Sequence, residues 1–216
     1  MKNKNLPLNG SHEMRAFSMP DLKADDTGNT VEGHAAVFGE TYDMYWYTET
    51  IARGAFDKTD FTDVLFSINH DLKKLPLARS RNNNANSTLQ LQVDDTGLNT
   101  RAVLDIENNS EAKALYSSIQ RGDMNGMSYI FTVRNHEWTG LDTDKPSRTI
   151  TDIAKVYEVS AVSMPANPGT DINARSQTEL ESAKGALESA RAKAGELGEQ
   201  RELEILKLKT NILMKG

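Results

Sequence analysis

The chain has 216 residues, no cysteine, 26% charged side chains and a net charge of −6. Without cysteine there can be no disulfide, thiolate nucleophile or thiolate zinc site, and the acidic balance offers no basic stripe for phosphates, so nucleic acid is not an expected partner. Four histidines, at 12, 34, 70 and 136, include no close-spaced pair, which argues against a histidine-rich metal site. No run of about 18 apolar residues is present to cross a membrane. The start, Met1-Lys2-Asn3-Lys4-Asn5-Leu6-Pro7, lacks the apolar core of a secretory signal, so the expectation is an intracellular protein. The length suits one domain of average size plus an appendage.

Residues 1–13 are polar and read as a flexible N-terminus, followed by a first short strand over 14–19. A charged loop leads to Thr30–Gly39, a strand closed by glycine. The aromatic run 42–51 fits an exposed hairpin or a partner-binding loop, with ordinary sheet packing as an equal alternative. Arg53 to Phe61 reads as a turn into a short helix. Val64–His70 is an apolar strand with His70 at its C-terminal end; Pro76 keeps 75–80 extended. Alternation over 87–93, an Asp94-Asp95-Thr96-Gly97 turn and a returning strand over 98–104 make a hairpin.

Ser110 is the expected N-cap of a helix over 111–121, with Ala112, Leu115, Tyr116 and Ile119 as its buried stripe. Arg121-Gly122-Asp123-Met124-Asn125-Gly126-Met127-Ser128-Tyr129 then breaks the helix at two glycines, and a strand leaves from Ser128 over 128–134. Two further strands, 147–151 and 156–163, are split by a charged bend. Past Ser176 the composition turns to Ala, Glu, Leu, Lys and Arg with apolar residues at 3-4 spacing, which predicts a long helix, a weak coiled coil with a stutter. That tail is neutral, so the whole −6 lies in residues 1–175. It reads either as a partner-binding arm or as a surface helix folded on the body. The domains are therefore 1–13, a body over 14–175, and the helical extension 176–216.

Ser128, past a glycine that lets backbone come close, is a plausible nucleophile, although most serines beside a turn serve the turn. Its company is His70 in Ser67-Ile68-Asn69-His70-Asp71 and Glu158 in Val156-Tyr157-Glu158-Val159-Ser160, and the three point to a serine protease. The bland alternatives are a loop or surface role for His70 and a structural pairing of Glu158 with Arg134 or Arg148. Ser160 and Ser163 read as packed or hydrogen-bonded hydroxyls.

Several ordered blocks resemble the prohead maturation proteases of tailed bacteriophages, distant relatives of the herpesvirus assembly proteases. They are Glu32-Gly33-His34-Ala35-Ala36-Val37-Phe38, Ile51-Ala52-Arg53-Gly54-Ala55-Phe56, Asn69-His70-Asp71, the glycine stretch ending in Ser128, and the run from Glu158 to Pro168. The resemblance implies an α+β fold, a compact, mainly antiparallel β-barrel surrounded by helices, with His70 as general base, Ser128 as nucleophile and Glu158 orienting the imidazole. One departure is Ala78 in Pro76-Leu77-Ala78-Arg79, where the family usually has glycine; it bears on that loop's backbone and on any help from Arg79. The herpesvirus relatives use a second histidine as third member, but eight strand residues put His136 roughly 26 Å from Ser128, whereas Glu158 comes from another strand. The oxyanion hole is not legible; amides near Arg79 or in the 126–128 turn are the candidates.

What the resemblance implies is a serine endopeptidase that cleaves the scaffolding protein, or a scaffold-like segment of the major capsid protein, and by extension itself, inside the immature capsid in the host cytoplasm. No metal or organic cofactor is implied, and the herpesvirus relatives extend the expectation to a homodimer. Two rivals stand beside this reading: a non-catalytic scaffold protein with a protease-like body, and a hydrolase of small esters. The second is weakened because Ser128 sits in Asn-Gly-Met-Ser-Tyr and not in a Gly-x-Ser-x-Gly elbow.

Overall fold

The computed structural model describes residues 12–26, 28–44, 47–163 and, in the tail, 185, 187–198, 200–201 and 204–207. In chain order the elements are β1 (His12–Ser18), β2 (Lys23–Ala24), β3 (Thr30–Val37), β4 (Thr41–Asp43), β5 (Thr48–Ile51) and β6 (Asp63–Ile68). Then follow β7 (Ala78–Arg81), β8 (Leu89–Val93), β9 (Gly97–Val103), α1 (Ser110–Gln120), β10 (Gly126–Thr139) and β11 (Ser147–Val162). The fold is α+β and strand-rich. The expected barrel and ring of helices are corrected: the strands form two open sheets, of seven and four strands, and do not close. Among the described residues, α1 and the tail supply the α-helix.

The larger sheet is built on the antiparallel hairpin of β10 and β11. β1 pairs with the free side of β10. Along its other side, β11 takes β5 in parallel over Ser147–Ile150 and β6 in parallel over Glu158–Ala161. One strand thus collects two neighbours in sequence, with a bridge from Asp60 to Lys155 between them. β4 extends the sheet beyond β5, and β7 beyond β6. The smaller sheet runs β2-β3-β9-β8.

Alternation along β10 decides which residues enter the core. Met127, Tyr129 and Phe131 are buried hydrophobics of a core that also holds Val31, Phe56, Phe66, Leu98, Leu115 and Val159. Two-residue periodicity puts Ser128 on the opposite side of the strand from Met127 and Tyr129. Gly33 of β3 lies where the small sheet meets β10: a side chain there would stand 3.2 Å from the Met127 sulfur and 2.9 Å from Leu22 Cα. Glycine is what lets the two layers approach one residue away from Ser128.

Several local expectations change. The short helix after Arg53 is a chain of turns, in which Ala55 donates to Ala52 O and Asp57 to Gly54 O. Gly54 at φ 84° cannot continue an α-helix, and Ala55 O is engaged by Ile153 N–H of β11. The N-cap of α1 is Asn109, not Ser110: its side-chain oxygen accepts from Glu111 N–H and Ala112 N–H. The predicted stripe of Ala112, Leu115, Tyr116 and Ile119 is buried as expected. The strands predicted at 147–151 and 156–163 are one strand, because the charged residues taken for a bend are satisfied across the sheet: Asp152 by Arg134 at 2.6 Å and Lys155 by Asp60 at 2.7 Å. β10 likewise runs on to Thr139, past the expected end at 134, with register shifts absorbing the irregularity.

The boundary predicted at 175/176 and much of the predicted long helix lie outside the described residues. Within them, 187–198 is helical, Leu187 is buried, and Arg191 donates to Leu141 O and Thr143 O in the turn between β10 and β11. This stretch therefore lies on the body. Among the described helices none is long and apolar enough to cross a membrane.

Candidate active site

Three strands bring the site together by register alone. Ser128 of β10 stands opposite Ser160 of β11, and Ser160 opposite Ser67 of β6. Residues directly opposite one another share a face of the sheet, so the three hydroxyls form one row. Glu158 lies two residues from Ser160 along β11, hence on the same face. His70 arrives from the turn just beyond β6, where Asn69 (φ 50°) and His70 (φ 58°) both adopt left-handed backbone.

The His70 ring spans the gap. Its Nε2 is 2.5 Å from Ser128 Oγ and its Nδ1 is 2.5 Å from Glu158 Oε2. The other carboxylate oxygen, Glu158 Oε1, accepts from both Ser67 Oγ and Ser160 Oγ. All are buried: Ser128 and Ser160 have no exposed surface, Glu158 is 1% exposed and His70 7%. Burial strengthens each polar contact here and makes any unpaired group costly. Beside the turn opens a cleft of about 280 Å³ lined by Ser67, Asn69, Leu75, Leu77 and Ala114, with Lys74 paired to Glu111 across it.

The structure thus brings all three sequence-predicted residues into one chain of contacts. The structural alternatives for Glu158 are taken elsewhere, since Arg134 pairs with Asp152 and Arg148 with Glu13 and Glu49. His136 lies on the far part of β10, where its Nδ1 accepts from Arg148 at 3.3 Å; burial, and then the Arg148 charge, lower its pKa. Arg79, weighed for the oxyanion hole, has its amide on Thr88 Oγ1 and its guanidinium on Asp63. Sequence reasoning did not bring Ser67 into the site. Its signal was present, a serine three positions before the histidine in an apolar strand, but pairing with β11 is needed to aim it at Glu158.

An imidazole held between a serine hydroxyl and a buried carboxylate is the arrangement that serine hydrolases use to activate an oxygen nucleophile. The family model described as caudovirus prohead serine protease matches residues 18–184, and the chain belongs to that family. Neither a curated protein nor a solved structure matches the chain. The family points to a protease role in phage capsid maturation.

Proposed function

We propose that the chain is a serine endopeptidase with Ser128 as nucleophile, His70 as general base and acid, and Glu158 as the carboxylate that orients the imidazole. The observation that carries this reading is the single His70 ring within 2.5 Å of both Ser128 Oγ and Glu158 Oε2. Ser128 Oγ attacks the scissile carbonyl while Nε2 takes its proton; the proton then passes to the leaving amine, and water, deprotonated by the same nitrogen, releases the acyl group. Glu158 keeps the proton of the neutral ring on Nδ1, so that Nε2 is free to accept, and stabilises the imidazolium that forms. The cleft beside the turn offers an extended substrate chain a place to lie.

The substrate is the scaffold, or a scaffold-like segment of the major capsid protein, cut inside the prohead so that the shell can mature. Family membership supports this assignment. Co-expression with the capsid and scaffold proteins, followed by mass spectrometry of every chain, tests it. Wild type yields discrete fragments and Ser128→Ala leaves those chains whole. Uncut capsid and scaffold chains with wild type would return the non-catalytic scaffold reading.

A further inference from the structure

We infer that Ser160 is the positioning residue of this site: its one hydroxyl fixes the Glu158 carboxylate and the His70 backbone relative to each other. The inference rests on the protease reading above and goes beyond its three residues. Ser160 Oγ donates to Glu158 Oε1 and at the same time accepts from the His70 backbone N–H at 3.0 Å. Among the described residues, Ser160 is the side chain seen to hydrogen-bond both partners of the Nδ1 contact.

Proton counting sets Ser160 apart from Ser67. Ser67 Oγ, Ser160 Oγ and Glu158 Oε1 are mutually close, with the two hydroxyls 2.7 Å apart. Two hydroxyls carry two protons, and a carboxylate carries none to give. Both protons go to the charged acceptor, where a hydrogen bond is strongest, and the hydroxyl–hydroxyl contact is left without one. Ser160 still has lone pairs, and one of them takes the His70 amide. The hydrogen-bond partners of Ser67 Oγ are Glu158 and Ser160 and not His70, so it supports the carboxylate alone.

The His70 amide needs that partner because the turn is strained. Non-glycine residues seldom adopt positive φ, and two in succession persist only where their surroundings hold them. Here β11 and the residue just past it hold them: Asn69 N–H donates to Ala161 O, His70 N–H to Ser160 Oγ, and Asn69 Oδ1 accepts from Ser163 N–H. Of these three ties, Ser160 alone also reaches the carboxylate. Removing its oxygen leaves a buried amide without a partner and frees the imidazole to turn relative to Oε2, while Ser128 stays in its ladder.

Inactivation of the full chain by a fluorophosphonate probe reports this directly, because covalent bond formation (kinact) and prior binding (KI) separate. The step is balanced: the oxygen–phosphorus bond forms, fluoride leaves, and the hydroxyl proton passes to His70. Ser160→Ala lowers kinact by about 10- to 100-fold, the scale of a catalytic group displaced by ~1 Å, with KI within about twofold of wild type. Ser67→Ala lowers it less. In a Glu158→Gln background the loss from Ser160→Ala shrinks, because one of its two partners has already been altered. Equal losses for the two serine variants, a loss carried in KI, or losses that simply multiply with Glu158→Gln would each overturn the inference while leaving the protease reading intact. If Ser160→Ala does not fold, Ser67→Ala decides: a loss as large as that of Glu158→Gln contradicts a support centred on Ser160. No labelling of wild type would instead end the protease reading itself.

Discussion

Glu158 shows at the residue scale how much of the site depends on one carboxylate. It is 1% exposed and answers three donors, His70 Nδ1 on one oxygen and two serine hydroxyls on the other. Glu158→Gln keeps the shape but offers an amide that can donate to Nδ1 and stabilise the wrong ring tautomer. The expected result is a loss of turnover on the order of 10⁴-fold, with binding little changed, as for the corresponding change in other serine hydrolases. Steady-state kinetics on a cleaved peptide checks it. His70, Ser128 and Glu158 could be named as candidates because the ordered blocks around them resemble one family, and the fold brings the three side chains together. Their hydroxyl supports were not, since alternation along a strand tells which face a serine occupies and not which residue faces it across the sheet.

At the scale of elements, the β10–β11 hairpin does most of the positioning. It carries Ser128 and Glu158, and its outer edges recruit β1, β5 and β6. Strand was readable for both members, from alternation in β10 and as two separate segments in β11, but their lengths were not. Asp152 and Lys155 look like bend residues in one dimension and are paired in three, with Arg134 and Asp60. Helix α1 was legible in its stripe, while its cap moved by one residue because Asn109 and Ser110 are both good caps. Asn109→Ala should cost about 1 kcal/mol of stability and lower the melting temperature by roughly 2–4 °C. Calorimetry measures this, and the rate of fluorophosphonate labelling should not change.

For the whole molecule, the strand content was visible in the sequence but its closure was not. Whether edge strands meet depends on pairing between distant segments, and here β1 and β4 end the main path of the larger sheet without joining. Away from the His70 site, the stability of that sheet rests on a buried charge cluster: Arg15 and Arg148 share Glu49, and both also reach Glu13. Glu49→Ala leaves two buried guanidinium groups to share the single carboxylate of Glu13, and about 3–5 kcal/mol of stability should go with it in denaturant titration. Glu13 gives the cluster a pH signature. Burial alone would raise its carboxyl, but the Arg148 hydrogen bonds and the Arg15 and Arg148 charges outweigh that and hold it at about 2, below the ordinary 4.5. A lowered carboxyl contributes stability that is fully present above pH 4.5 and lost as the pH falls toward 2. That contribution is on the order of 3 kcal/mol. In acid titrations, Glu13→Gln should be less stable at neutral pH and should show a smaller decline over that window, since Asp60 is also held at about 2 and still contributes to it.

The most direct measurement is peptide mapping of the intact chain after fluorophosphonate treatment, for wild type, Ser128→Ala and His70→Ala. One adduct is expected, on Ser128, in wild type and none in either variant, since an unassisted serine loses on the order of 10⁴-fold or more in reactivity. An adduct on another serine, or equal labelling of Ser128 when His70 is gone, would contradict the claim that this imidazole activates this hydroxyl.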